Sequence, residues 1–91
     1  MSTEGRKAMN KIQIAAKLYD CRDTAKRFFK DEYEVRIEPY KETIKHCQQK
    51  LNLEVLPCVI KICNLESVKD NGMATMLYMA AAVELIEPER P

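Results

Sequence analysis

The sequence predicts an all-α fold, a small compact bundle of about four helices whose last helix is strongly apolar. Apolar residues recur at spacings of three and four along most of the chain, which is the period of helices that bury one face. The 91 residues include only two glycines and four prolines, and this leaves little material for the turns that many short strands require. We therefore predict a single helical domain over 1–91, with flexible ends at 1–5 and 88–91.

The first helix is predicted from Lys7 to Phe29, because two lines of apolar residues follow it at helical spacing. One line contains Ala8, Ile12, Ala15 and Tyr19, and the second contains Ile14, Leu18, Cys21, Ala25 and Phe28. The lines lie more than about 90° apart around a helix, so either the helix buries one wide face or the second line meets another chain. Asp31 and Glu32 end this helix or begin the next, where acidic side chains suit a helix start.

The second helix carries the clearest amphipathic pattern in the chain. Its apolar positions are Tyr33, Ile37, Tyr40, Ile44, Cys47 and Leu51. Pro39 interrupts this pattern, and proline is tolerated in a first turn but kinks a helix interior. We therefore expect the regular helix to begin near Glu38, after a looser turn, and to end at Asn52 in a left-handed cap.

The segment 54–66 allows either a strand or a helix. Its β-branched residues are typical of strands, but from Pro57 it fits a short helix with proline at the first position, which we favour. Asp70-Asn71-Gly72 is the clearest turn signal. The last helix follows this turn and stops at Pro88, because the residue before a proline avoids helical geometry.

The last helix, 73–86, has no polar face, because only Thr75 and Glu84 are strongly polar. Such a helix is normally buried all round, and a chain of this length can hardly wrap it alone. We therefore predict a dimer formed by this helix and by the second line of the first helix. The predicted self-association residues are Met73, Met76, Leu77, Met79, Ala80 and Val83. Glu84 either pairs with a basic or tyrosine side chain of a neighbouring helix or subunit, or reaches water from a frayed last turn.

Charge is nearly balanced overall, with 15 basic and 14 acidic residues, so nothing demands nucleic acid or an anionic membrane. It is nevertheless asymmetric, with eight basic and two acidic residues between Arg6 and Lys30. The predicted partner-binding residues, a basic ridge on the first helix, are Arg22, Lys26, Arg27 and Lys30. Asp23 lies four positions before Arg27 and could neutralise it. The ridge is either a solvated face or a docking patch for an acidic surface or phosphates.

No catalytic, metal or cofactor site is predicted. The closest cysteine pair, Cys58 and Cys63, lacks the Cys-x-x-Cys spacing of structural zinc sites, and the lone His46 sits in a solvated helical charge ladder. All four cysteines are expected to be reduced thiols that serve as small core residues. The longest mainly apolar run, 73–86, has 14 residues and contains a glutamate, and it is shorter than the roughly 20 residues that span a bilayer. With no signal-peptide pattern, we expect a cytoplasmic protein.

These patterns favour a non-enzymatic protein that self-associates and binds a larger protein, as an inhibitor or adaptor does. The alternative is a small DNA-binding regulator that uses either the basic ridge or a helix-turn-helix-like element over 44–63. Pro57 and the single basic residue Lys61 in the second half of that element count against direct reading of DNA bases.

Overall fold

The computed structural model describes residues 11–87, with side chains from Ala16 onward, and every regular element in that range is helical. The helices are α1 (Lys11–Phe29), α2 (Tyr33–Leu51), α3 (Val55–Cys63), α4 (Glu66–Lys69) and α5 (Gly72–Ile86). The predicted all-α bundle is confirmed, with α4 as a single additional turn that was not predicted. The predicted helix start at Lys7 and the predicted flexible ends at 1–5 and 88–91 lie outside the described residues.

The junction between α1 and α2 is a 3₁₀ turn over Lys30–Glu32. Lys30 ends α1 with a left-handed φ of 52°, and α2 then begins at Tyr33 with Pro39 inside it. The predicted start near Glu38 is therefore wrong. Burial of Tyr33 and Ile37, which are 3% and 1% exposed, holds the early turns in place. Pro39 deprives the Val35 carbonyl of its helical hydrogen bond, but Val35 is 74% exposed, so water can reach its surroundings.

The break between α2 and α3 follows the predicted cap. Asn52 adopts φ 56° and ψ 51°, and its N–H donates to the Gln48 carbonyl. The helical interpretation of 54–66 is confirmed over Val55–Cys63. The helix starts two residues before Pro57, which takes the third position instead of the first. Its missing N–H costs nothing there, because the first N–H groups of a helix have no intrahelical partner.

The start of α5 is fixed by two local hydrogen bonds. The Asn71 side chain accepts from the Ala74 N–H at 3.1 Å, which is a regular N-cap. The Thr75 hydroxyl donates to the Val68 carbonyl at 3.1 Å, so this polar side chain is satisfied within the chain. The helix ends at Ile86, before Pro88 as predicted.

The core is organised around α5, which contacts each of the other four helices. Ala80, Ala81 and Ala82 are fully buried, and their small side chains let neighbouring helices approach closely. One buried cluster comprises Leu18, Ile44, Cys58, Val59, Ile62, Val68, Ala81, Ala82 and Val83. The other comprises Ala25, Tyr33, Ile37, Leu77 and Ala80. The chain thus wraps much of α5 by itself, contrary to the expectation from its length.

Candidate functional site

The predicted self-association residues of α5 fall into two groups. Leu77, Ala80 and Val83 are 3%, 0% and 2% exposed, because helices of the same chain cover them. These three residues cannot meet a second chain without unpacking the core, so the predicted interface was drawn too wide. Met76 and Met79 are half-buried, and Met73 is 43% exposed. Self-association itself stays a prediction, and of the six predicted residues only the three methionines are accessible to a second chain.

The predicted basic ridge also falls into two groups, because two of its members contact aromatic or acidic side chains of the same chain. The Arg22 Nη1 atom lies 4.0 Å from Glu84 Oε2, and the guanidinium sits 5.2 Å from the centre of the Tyr19 ring. The Lys26 ammonium lies 5.5 Å from the centre of the Tyr33 ring. Both cations therefore contribute cation–π contacts at the edge of the core.

Lys26, Arg27 and Lys30 are exposed, whereas Arg22 is half-buried. Among the described residues, no carboxylate lies within 4.0 Å of Arg27 or Lys30, and the Asp23–Arg27 pair does not form. Lys30 leaves the helical line because its positive φ ends α1. Arg27 and Lys30 are therefore the exposed ridge cations to which the described residues offer neither an ion pair nor a cation–π contact.

Glu84 was predicted either to pair with a neighbouring side chain or to reach water, and in the structure it is paired. The Tyr33 hydroxyl donates to Glu84 Oε2 at 2.8 Å. Burial, this hydrogen bond and the carboxylate charge raise the pKa of Tyr33 well above its usual value. The Arg22 Nε atom is buried without a hydrogen-bond partner among the described residues. The arrangement joins α1, α2 and α5 and acts as a structural connection between helices.

Exposed aliphatic residues lie on and beside α3, and they were not among the predicted site residues. We define the α3 surface as Leu51, Leu56, Ile60, Lys61 and Leu65. Leu51, Ile60 and Leu65 are 46%, 47% and 54% exposed. The sequence of α3 contains two apolar lines at helical spacing, one of Leu56, Ile60 and Cys63 and one of Val55, Val59 and Ile62. A helix on the outside of a bundle buries only one such line, so the pattern itself indicated that the other line would be exposed.

Two grooves border α3. The first has a volume of about 480 Å³ and is lined by Cys47, Leu51, Lys61, Ile62, Asn64 and Leu65. The second has a volume of about 200 Å³ and is lined by Leu18, Leu56, Val59, Ile60, Cys63, Asn64 and Met79. Lys61 is the single charged residue that lines either groove. Exposed apolar surface that is grouped in this way is typical of protein interaction sites.

A larger groove of about 670 Å³ lies where α1, α2 and the start of α5 meet. It is lined by Phe29, Asp31, Glu32, Val35, Arg36, Pro39, Tyr40, Met73 and Leu77. Its rim is charged, and Arg36 pairs with Glu32 at 3.3 Å while its guanidinium lies over the Phe29 ring. Two of the charged side chains at the rim, Glu32 and Arg36, thus already have partners within the chain. The groove is therefore less suited to binding an apolar partner than the α3 surface.

The four cysteines are all free thiols. Cys58 is fully buried in the core, where burial and the neighbouring Cys47 raise its pKa to about 11. Cys21, Cys47 and Cys63 are half-buried, and His46 is exposed. Within residues 11–87, no three or more histidine, cysteine or carboxylate side chains are grouped so that they could hold a metal ion.

The helix-turn-helix-like element forms as two helices with a short break at 52–54. Its second helix, α3, has nine residues and carries Pro57 in its first turn and Lys61 as its one basic residue. A helix that reads DNA bases normally presents several polar or basic side chains. The helix–break–helix arrangement is therefore present, but the side chains of its second helix are mostly apolar.

No helix in the described part of the chain is both long and apolar enough to cross a membrane. No protein-family model, curated protein or solved structure matches this chain.

Proposed function

We propose that this protein is a non-enzymatic interaction domain, which pairs with a second copy through the α3 surface and binds a larger protein through Arg27 and Lys30. The observation that carries the proposal is the exposed aliphatic α3 surface, flanked by two grooves with one charged lining residue. When a partner covers such a surface, apolar area is removed from water, and this stabilises the complex.

The charges beside this surface favour a second copy as the partner. Glu54 and Lys61 are both exposed and lie seven positions apart, so they share one face of α3. When two copies pack with antiparallel α3 helices about a two-fold axis, Glu54 of each copy lies opposite Lys61 of the other. Because a two-fold axis repeats each contact, the dimer would contain two such pairs of opposite charge.

The size of the contact requires more than α3 itself. Nine helical residues extend over only about 13 Å, whereas a stable interface buries roughly 800 Å² on each partner. Leu51 and Leu65, which lie outside α3 and line one groove together with Lys61, extend the apolar area beyond the helix. The proposed interface is therefore the whole α3 surface with Ile60 near its centre.

Sedimentation equilibrium over a wide concentration range tests the dimer. Ile60→Glu should weaken self-association by at least about a hundredfold, because it places two carboxylates in an apolar contact. Lys61→Glu and Glu54→Lys should each weaken it by about tenfold, and the double charge reversal should restore it. Arg27→Glu is the matched charge-reversal control, and its self-association should equal that of the wild type.

Three outcomes would contradict this part of the proposal. A wild-type chain that stays monomeric at every concentration would exclude self-association. A dimer that persists unchanged in Ile60→Glu, with folding verified by circular dichroism, would move the interface away from α3. Failure of the double charge reversal to restore pairing would exclude the antiparallel arrangement.

The second part of the proposal concerns the larger partner. Arg27 and Lys30 are exposed cations without an ion pair to any described residue, so they suit an acidic protein surface. A partner should be retained by the wild type, lost by Arg27→Glu/Lys30→Glu, and retained by the control Lys17→Glu. A set of partners that does not change between these three proteins would exclude this role.

DNA binding is the second candidate function, and the helix–break–helix arrangement of 44–63 is the observation that favours it. Binding to random duplex DNA should be measured while salt is increased. Phosphate-led binding weakens steeply with salt, whereas a lack of binding at low salt excludes this function.

A further inference from the structure

Sulfur-bearing side chains from three helices gather along the contact between α1 and α5. The Cys21 thiol donates a hydrogen bond to the Met79 thioether, with 3.6 Å between the sulfurs. Cys63, at the end of α3, lines the 200 Å³ groove together with Met79. Cys21 and Met76 line another cavity of about 320 Å³. Cys21 thus neighbours both methionines, and Met79 neighbours both cysteines.

We propose that this cluster is a binding site for one Cu(I) ion, held by Cys21, Cys63 and Met79, with Met76 available as a fourth ligand. Soft thiolate and thioether ligands select Cu(I) over harder cations. Zinc fits less well, because it is bound by thiolate, imidazole and carboxylate and the described residues group no three such side chains.

The site is accessible from solvent. Cys21, Cys63, Met76 and Met79 are all half-buried, so an ion can reach them without opening the core. By contrast, Cys58 is fully buried, and Cys47 lines the groove on the other side of α3.

Binding must displace protons from the ligands. Cys21 and Cys63 are free thiols, and a thiol binds a metal ion as the thiolate. One Cu(I) and two thiols therefore give a copper dithiolate and two released protons, with no change in oxidation state. Because binding releases protons, the affinity for Cu(I) should rise with pH.

Anaerobic competition against a chromophoric Cu(I) chelator tests the site. The wild type should take up one Cu(I) per chain and release two protons for each ion. Cys21→Ser and Cys63→Ser should each lower the affinity by at least about a hundredfold, since even outer-shell partners of metal sites are worth 10–100-fold. Met79→Leu should lower it by about tenfold, because its thioether is a neutral ligand.

Cys47→Ser is the matched control, as it removes a half-buried thiol that has no methionine among the residues around its groove. It should bind Cu(I) as tightly as the wild type. An equal loss in this control would show non-specific thiol binding, and no uptake by the folded wild type would exclude the site. X-ray absorption should show a sulfur-only copper environment in the wild type, and oxygen or nitrogen ligands in its place would also overturn the assignment.

Discussion

At the residue scale, Glu84 shows how an otherwise apolar helix accommodates a carboxylate. Its side chain is 18% exposed, and a charge that has lost most of its water must gain hydrogen bonds or an opposite charge. Tyr33 supplies the hydrogen bond and Arg22 supplies the charge. Glu84 therefore connects the middle of α1 and the start of α2 to α5.

A double-mutant cycle should reveal this connection. Tyr33→Phe removes the donor to Glu84 and should lower the free energy of unfolding by about 1–2 kcal/mol. Tyr33→Phe and Glu84→Gln together should cost less than the sum of the two single changes, because they act on one hydrogen bond. Urea unfolding of the four proteins measures the coupling. Additive costs would show that the contact contributes no coupling to stability.

The raised pKa of Tyr33 predicts a loss of stability in alkali. Below the ordinary tyrosine pKa of about 10, the folded and unfolded states both hold the proton and the full stability is present. Above it, the unfolded chain releases the proton while the folded chain keeps it, so the free energy of unfolding falls as pH rises. Tyr33→Phe should show a shallower fall between about pH 9 and about pH 11. Equal slopes in urea unfolding of the two proteins would contradict this.

At the scale of single helices, α2 carries a correctable defect at Pro39. Proline inside a helix costs up to about 3 kcal/mol, partly offset because it also restricts the unfolded chain by up to about 1 kcal/mol. Pro39→Ala should therefore raise the free energy of unfolding by about 1–2 kcal/mol, since its N–H can bond to the Val35 carbonyl. Val35→Ala, at an exposed position of the same helix, should change stability by less than about 0.5 kcal/mol. Chemical denaturation measures both, and a destabilised Pro39→Ala protein would contradict the argument.

The elements were predictable where a local signal sufficed. Asn52 and the turn before α5 were found because left-handed caps and Asn-Gly turns depend on a few adjacent residues. The start of α2 was missed because burial of Tyr33 and Ile37 outweighs the penalty of Pro39. That burial depends on residues far away in sequence, which a periodic pattern does not contain.

The candidate sites were less predictable for the same reason. The sequence showed Arg22 and Lys26 on one helical ridge, but Glu84 beside Arg22 comes from α5 and Tyr33 beside Lys26 comes from α2. No spacing pattern in the sequence predicts the sulfur cluster either, because its members belong to three helices. Periodicity shows which faces are apolar or charged, whereas only the packing shows which of those faces remain exposed.

At the scale of the whole molecule, the packing separates stability from interaction. The alanines at the centre of α5 are fully buried, so this part of the most apolar helix stabilises the fold. The exposed apolar residues of α3 lie at the periphery, where a second copy can cover them. Folding and association are then linked, because a partner that binds only the folded state stabilises it.

This linkage predicts that thermal stability depends on protein concentration. When a dimer unfolds to two separate chains, each tenfold rise in concentration should raise the unfolding midpoint by about 4 °C for two domains of this size. Ile60→Glu should have a midpoint that does not change with concentration, because its folded state is already monomeric. Arg27→Glu should keep the dependence of the wild type, since its charge lies outside the α3 surface.

Calorimetry of the three proteins over a hundredfold range of concentration measures the effect. A wild-type midpoint that stays constant while the chain is verified as monomeric would mean that α3 does not meet a copy of itself. The exposed Leu51, Ile60 and Leu65 would then have to be covered by a different protein. In that case the purified partner alone should raise the unfolding midpoint, and Ile60→Glu should abolish that rise.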